Sequence, residues 1–172
     1  MINAPVILRA GQPSDLDAII ALDRATDTAP HWPLAAYSAI LAPDGEFTPP
    51  RYLVVAEAPG DPTMRTAARM AGLAVALLNL TPPRPTAELE DVIVAANFRR
   101  AGIGRALCTA AIQWAFSQGA AEMTLEVRAA SLGAIALYRE LGFRQVGRRA
   151  DYYGNPADDA LLMRLEVNSS IS

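Results

Sequence analysis

The chain carries 172 residues, 52% of them hydrophobic, with 15 basic against 18 acidic side chains and a formal net charge of −3. That length suits one domain, 1–172, with a sizeable core, and the mild acidity argues against a nucleic-acid partner, which usually meets a strongly basic surface. One cysteine and one histidine exclude an internal disulfide and leave no ligand set for a structural zinc, so no metal is expected.

Val6–Arg9 predicts a first strand, and Pro13-Ser14-Asp15 opens a helix with Leu16, Ile19, Ile20 and Asp23 at helical spacing. Ala29-Pro30-His31-Trp32-Pro33 breaks that helix before a second one over Leu34–Leu41. Pro43-Asp44-Gly45 and Pro49-Pro50 punctuate a loop, followed by a strand over Tyr52–Glu57, a turn-rich connection over Ala58–Thr66 and a strand over Arg69–Asn79. The proline-rich stretch Thr81–Pro85 fits neither helix nor strand. Beyond it come a strand over Glu88–Val94, a helix over Arg105–Gln118, a strand over Met123–Arg128 and a helix over Ser131–Leu141. Two last strands, Phe143–Tyr153 and Ala160–Leu165, flank Gly154-Asn155-Pro156. This order predicts a mixed α/β fold in which an antiparallel first half feeds a parallel strand-helix-strand unit. Helix 105–118 places Leu107, Ala110, Ala111, Trp114 and Ala115 on one core-facing stripe, and Cys108 within it reads as a small buried hydrophobe rather than a nucleophile. Met1–Gly11 lacks a basic start and a long apolar run, so no secretory leader is expected. The longest apolar stretch, Met70–Leu78, is too short to cross a bilayer. A cytoplasmic protein without a membrane partner is the expectation.

The run Phe98-Arg99-Arg100-Ala101-Gly102-Ile103-Gly104-Arg105 joins a strand to a helix. Its glycines let the backbone turn sharply and leave main-chain amides uncovered. Those amides open a helix whose positive dipole end favours an anion, with three arginines beside them. A phosphate-rich ligand fits this arrangement, although a plain helix-start turn has a similar pattern. A dinucleotide fingerprint would need a glycine where Leu107 stands, and a P-loop would need a following Gly-Lys-Ser/Thr that is absent.

Arg99-x-x-Gly102-x-Gly104 resembles the pyrophosphate loop of the GCN5-related N-acetyltransferases (GNAT), whose pattern is Gln/Arg-x-x-Gly-x-Gly/Ala. The downstream Leu125-Glu126-Val127-Arg128, Ala134-Ile135-Ala136-Leu137-Tyr138 and Leu141-Gly142-Phe143 also resemble that family, closest to the bacterial ribosomal protein alanine N-acetyltransferases of RimI type. Tyr152-Tyr153 and Asp159-Ala160-Leu161-Leu162-Met163 fit the same ending. The resemblance is close over residues 88–165. The N-terminal half shares element order and a His31-Trp32-Pro33 segment where relatives often carry Pro-Trp. It implies the GNAT fold: a twisted mixed sheet of six to seven strands, about four helices, and a V-shaped split between the central parallel strands. Acetyl-CoA would enter that split as the acetyl donor. By resemblance, backbone groups of Val92, Ile93 and Val94 meet the pantetheine arm, and Arg100, Ala101, Gly102, Ile103, Gly104 and Arg105 wrap the pyrophosphate. Ser131 stands where relatives usually place an asparagine against the cofactor; it serves equally as the N-cap of the next helix.

Acetyl transfer to an amine needs a proton acceptor for the nitrogen and a proton donor for the departing thiolate. In the family pattern these are Glu126 and Tyr138. Strand alternation puts Thr124, Glu126 and Arg128 on one face. The competing readings are a Glu126 ion pair with Arg128 or Arg149, and a core tyrosine at 138. Glu90, expected on one strand face with Val92 and Val94, is the reserve base. His31, Trp32, Tyr152 and Tyr153 are candidate borders of the acceptor site, with packing as the alternative for each. An α-amine of pKa about 8 costs roughly 1.4 kcal/mol to neutralise at pH 7, whereas a lysine at about 10.4 costs roughly 4.6 kcal/mol. A single glutamate therefore suits a protein N-terminus better than a lysine. The expectation is an acetyl-CoA-dependent acetyltransferase, monomeric or homodimeric, acting on the N-terminal α-amine of a ribosomal or other protein. The alternatives are acetylation of a small-molecule amine or lysine, and a non-catalytic acyl-CoA-binding regulatory module.

Overall fold

The computed structural model describes residues 6–42, 49–60, 67–81 and 83–167. The expected turn at Pro43-Asp44-Gly45, the 61–66 part of the connection after the second strand, Pro82 and the first residues of the segment read for a leader lie outside the described residues. The elements are β1 (Ile7–Ala10), α1 (Leu16–Arg24), α2 (Leu34–Leu41), β2 (Arg51–Ala58), β3 (Arg69–Asn79), β4 (Thr86–Val94), α3 (Ile103–Ser117), β5 (Glu122–Arg128), α4 (Leu132–Glu140), β6 (Arg144–Gly154) and β7 (Ala157–Glu166). Their order is the expected one. Helix α3 starts at Ile103, two residues before the expected Arg105, because Gly102 adopts φ 79° and turns the chain directly into the helix. Strand β7 begins earlier than its apolar run, since Gly154↔Ala157 pairing closes the hairpin with β6 through polar residues.

The strands form one seven-stranded sheet in the order β1-β2-β3-β4-β5-β7-β6. Every neighbouring pair is antiparallel except β4 and β5. One face is alanine-rich, with Ala56, Ala74 and Ala76 beneath Leu107, Ala111 and Ala115 of α3, and these small side chains let the helix approach closely. Gly72 completes this fit, because a Cβ there would stand 2.6 Å from the Ile93 carbonyl oxygen and 3.0 Å from Leu107. The other face buries Ile19, Leu22, Tyr37 and Leu41 of α1 and α2 over Leu53, Val55, Leu73 and Val75. Trp114 packs as its stripe predicts, stacked on Tyr52 at 5.2 Å. Cys108 is fully buried, and burial pushes its thiol up to about 12, so it behaves as a hydrophobe.

Two irregularities shape the site. Strands β4 and β5 pair only at Ala87↔Met123 and Glu88↔Thr124, then part. The V-shaped split expected from the resemblance is this divergence. A bulge in β4 also leaves Glu90 unpaired between Val75↔Asp91 and Ala76↔Leu89. An inserted residue reverses the facing of everything beyond it. Ala87 and Leu89 face α3, whereas Ile93 faces α1 and α2 and Val92 and Val94 turn toward α3.

Candidate active site

The split carries two adjoining cavities. The larger, about 740 Å³, runs from the 98–105 loop along Val92 and Val94 to Tyr138. At its head Arg100 and Gly102 both have positive φ, 64° and 79°, and the second is a glycine conformation. The first intrahelical bond of α3 runs from Ala106 N–H to the Gly102 carbonyl, 3.1 Å, so the amides of Ile103, Gly104 and Arg105 precede the ladder. They point an N-terminal helix dipole into the groove. Arg99 donates through Nε to the Val94 carbonyl at 3.1 Å, which ties the loop to the split strand. Arg105 pairs with Glu140 on the opposite rim. Ala101 sits at the exposed tip of the loop. The middle of the groove is apolar, from Val92 and Val94 on one side to Ala134 and Leu137 on the other.

The smaller cavity, about 340 Å³, lies on the α1/α2 face of the sheet and is walled by Glu90, Asp91, Glu126, Ser131 and Tyr153, roofed by Asp27–Pro30. Thr28, Val92, Ala134 and Tyr138 line both cavities, so the two meet beside the Tyr138 side chain. Burial pushes the Tyr138 phenol above its ordinary value, with the neighbouring Cys108 and Asp91 adding to the rise. It therefore keeps its proton at neutral pH. Its ring is fixed edge-on against Phe143 at 5.9 Å.

Strand alternation places Glu126 on this wall as expected, opposite the buried Met123, Leu125 and Val127. Its carboxylate also makes the competing ion pair with Arg149, at 2.8 Å. Glu90 differs from the sequence reading. The bulge carries it away from the face of Val92 and Val94, and its carboxylate takes two bonds from Arg51, at 2.7 and 3.0 Å. Glu90 and Glu126 are thus both ion-paired, to Arg51 and to Arg149. Glu88, one turn of the pleat earlier, is raised above the ordinary range by desolvation and by the nearby charges of Glu90 and Glu126.

The remaining expected residues divide. Tyr153 lines the smaller cavity beneath the Arg128 guanidinium, 4.1 Å from its ring centroid, while Tyr152 turns outward under Arg149. Ser131 occupies the N-cap position of α4 without a side-chain capping bond and faces the smaller cavity rather than the groove. His31 and Trp32 pack beside the cavity roof instead of lining it. His31 bonds Asp23 through both its backbone N–H and Nδ1, and Trp32 lies against Tyr37 at 5.5 Å. Sequence reasoning missed Asp91 altogether. It is 8% exposed, sits on the cavity wall, and is pushed up to about 7 by burial and by the charge of Asp23. A carboxylate within an apolar strand was the available signal. Among the described residues no cluster of side chains is arranged to hold a metal, and no helix is long and apolar enough to cross a membrane.

Residues 19–143 match the model of the acetyltransferase (GNAT) family. The chain belongs to that family. It is 38% identical over 84 residues to the [ribosomal protein bS18]-alanine N-acetyltransferase of Escherichia coli K12, covering 48% of this chain and 57% of the relative. An uncharacterized protein of Mycobacterium leprae is 33% identical over 167 residues, 96% of this chain and 42% of the relative. The chain thus spans about half the length of these curated relatives. In fold, it resembles Arabidopsis thaliana NAA60 solved with acetyl-CoA, with a TM-score of 0.79 at 17% identity over 95% of this chain and 100% of that one.

Proposed function

We propose that this chain transfers an acetyl group from acetyl-CoA to a primary amine, and that the amine is the N-terminal α-amine of a protein, a ribosomal one by likeness to the Escherichia coli relative. The observation that carries this reading is the meeting of an amide-headed groove and an acidic cavity at one protonated tyrosine. The groove fits the donor. Free amides and the Arg99 and Arg100 guanidiniums suit a diphosphate, and the apolar strip below them suits a slender arm ending at Tyr138. The splayed edge of β4 at Val92–Val94 offers main-chain groups to an amide-bearing arm.

Bound there, acetyl-CoA supplies an activated thioester. Everything else is done by the chain. The carboxylates of the smaller cavity draw a cationic amine toward the split and exclude anionic acceptors. Glu126, braced by Arg149, accepts the proton that the nitrogen sheds as the amide forms. Tyr138 gives its proton to the departing sulfur. One sheet carries both cavities, consistent with a single acetyltransferase domain over 1–172.

A panel assay of CoA release tests the reading. Free-N-terminus peptides, including one beginning with the bS18 sequence, should be acetylated in preference to lysine peptides, polyamines and aminoglycosides. Preference for a small amine would move the assignment to that class. Acetyl-CoA binding without release on any amine would leave only a regulatory module.

A further inference from the structure

A protein N-terminus arrives as an ammonium, and acetylation removes two protons from its nitrogen. Glu126 and Tyr138 manage one of them between themselves, because the proton Glu126 accepts replaces the one Tyr138 gives to sulfur. The other must be taken before the nitrogen can attack, and it must leave the cavity. Resting on the acetyl-transfer reading above, we propose that Asp91 strips this first proton from the acceptor ammonium and that Tyr37, Asp23 and His31 conduct it to solvent.

The geometry singles out Asp91. It is the buried carboxylate on the cavity wall, and among the described residues no ion pair joins it. Glu126 is bound to Arg149 and Glu90 to Arg51. Behind Asp91 the α1 and α2 face supplies a continuous polar chain through an otherwise apolar core. The Tyr37 hydroxyl lies 3.5 Å from Asp91 Oδ2 and donates to Asp23 Oδ1 at 3.1 Å. Asp23 Oδ2 lies 3.2 Å from His31 Nδ1. The His31 side chain is 43% exposed, whereas Asp23 is fully buried. Burying such a chain is costly unless it is satisfied and used.

The charges around Asp91 fit a group that must hold a proton briefly. Asp23 on α1 and Glu90 on β4 repel its charged form, the Val92 amide and the Tyr37 hydroxyl favour that form, and burial opposes it most strongly. Glu126 and Arg128 of β5, Tyr138 of α4, Tyr153 of β6 and Asp27 of the roof line the same cavity. Asp23 differs from Asp91 in its partners, with Arg24 at 2.7 Å and the His31 backbone amide at 3.2 Å.

The proton balance is closed. The ammonium N–H bond breaks and its proton bonds to an Asp91 oxygen, leaving the electron pair on nitrogen. Protonated Asp91 then donates to the Tyr37 oxygen as the Tyr37 hydroxyl proton moves to Asp23, without a tyrosinate. Protonated Asp23 gives its proton to His31 Nδ1, the unprotonated ring nitrogen of the tautomer with hydrogen on Nε2, and the Nε2 proton leaves to water. The nitrogen lone pair forms the new N–C bond as the C–S bond breaks. The sulfur keeps that pair and takes the Tyr138 proton. One proton per turnover reaches solvent.

The test compares wild type, Asp91→Asn, Asp23→Asn and Glu126→Gln on a free-N-terminus peptide from pH 6.5 to 9, with acetyl-CoA affinity measured by calorimetry and aspartate carboxyls followed by carbon-13 NMR. Asp91→Asn should lower kcat/KM about 100-fold at pH 7. The defect should narrow above pH 8, where solvent neutralises an α-amine of pKa about 8. Glu126→Gln should show a defect that pH does not relieve. The free protein should show one aspartate carboxyl titrating near neutrality that vanishes in Asp91→Asn and moves down in Asp23→Asn. Wild-type rates and pH profile in Asp91→Asn, with unchanged acetyl-CoA affinity, would overturn the inference; so would aspartates that all ionise below pH 5. Wild-type silence on every amine would instead overturn the acetyl-transfer reading, and the role of Asp91 with it.

Discussion

The two cavities of the split are built on opposite plans. The head of the proposed donor groove is made by one continuous stretch of chain, β4 through the start of α3, with main-chain amides among its polar groups, and α4 supplies the facing wall. The acceptor cavity draws on the α1–α2 segment, β4, β5, α4 and β6, and its polar groups are side chains. A backbone site tolerates substitution as long as the turn forms. A side-chain site changes its chemistry with each residue, so the donor side should be robust and the acceptor side should set specificity.

The largest effect should come from removing the hydroxyl of Tyr138, which lines both cavities. Tyr138→Phe should lower turnover by about 10²–10⁴-fold with acetyl-CoA affinity nearly unchanged, measured by steady-state kinetics and calorimetry. Glu126→Gln should behave likewise. Wild-type turnover in both would reject these two roles.

A second contrast concerns stability. Asp91 is pushed up to about 7 from an ordinary 3.8. Below pH about 4 folded and unfolded chains both hold its proton. Between about 4 and 7 the unfolded chain releases the proton while the folded one keeps it, so stability falls as the pH rises, by on the order of 4 kcal/mol for this carboxyl. Asp91→Asn should flatten that fall in urea unfolding series at pH 5 and pH 8. An identical slope in wild type and variant would show that the side chain is more hydrated than its position indicates.

The donor side is broken through its backbone. Gly102→Val forces a β-branched residue to φ 79°, at a strain of about 1–2 kcal/mol. Acetyl-CoA affinity should drop roughly tenfold while the acceptor wall stays intact. The smallest effect belongs to Arg149→Ala, which breaks a half-exposed ion pair with Glu126. Thermal unfolding should register under about 1 kcal/mol.

What was legible from residue order follows the same division. The loop pattern at Arg99–Gly104, the alternation of β5 and the apolar side of α4 are local, so the positions of the proposed donor groove, Glu126 and Tyr138 were readable. The displacement of Glu90 was hidden, because a bulge is specified by the pairing of β4 with β3 and leaves no local mark. The Asp91 carboxylate stood out in its apolar strand, but its facing was hidden for the same reason. One residue earlier or later in register it would face α3 instead of Tyr37. His31 and Trp32 were placed in the right segment, but their partners Asp23 and Tyr37 come from the helices on either side.

The amino-acid order alone determined the succession of strands and helices, the phosphate-facing turn and the family likeness, since each depends on residues within a few positions of one another. Only the tertiary structure decided which carboxylates of the described residues are ion-paired and that Asp91 is buried without an ion pair. An acid's chemistry depends on desolvation and on charges within a few ångströms, and those neighbours come from distant parts of the chain.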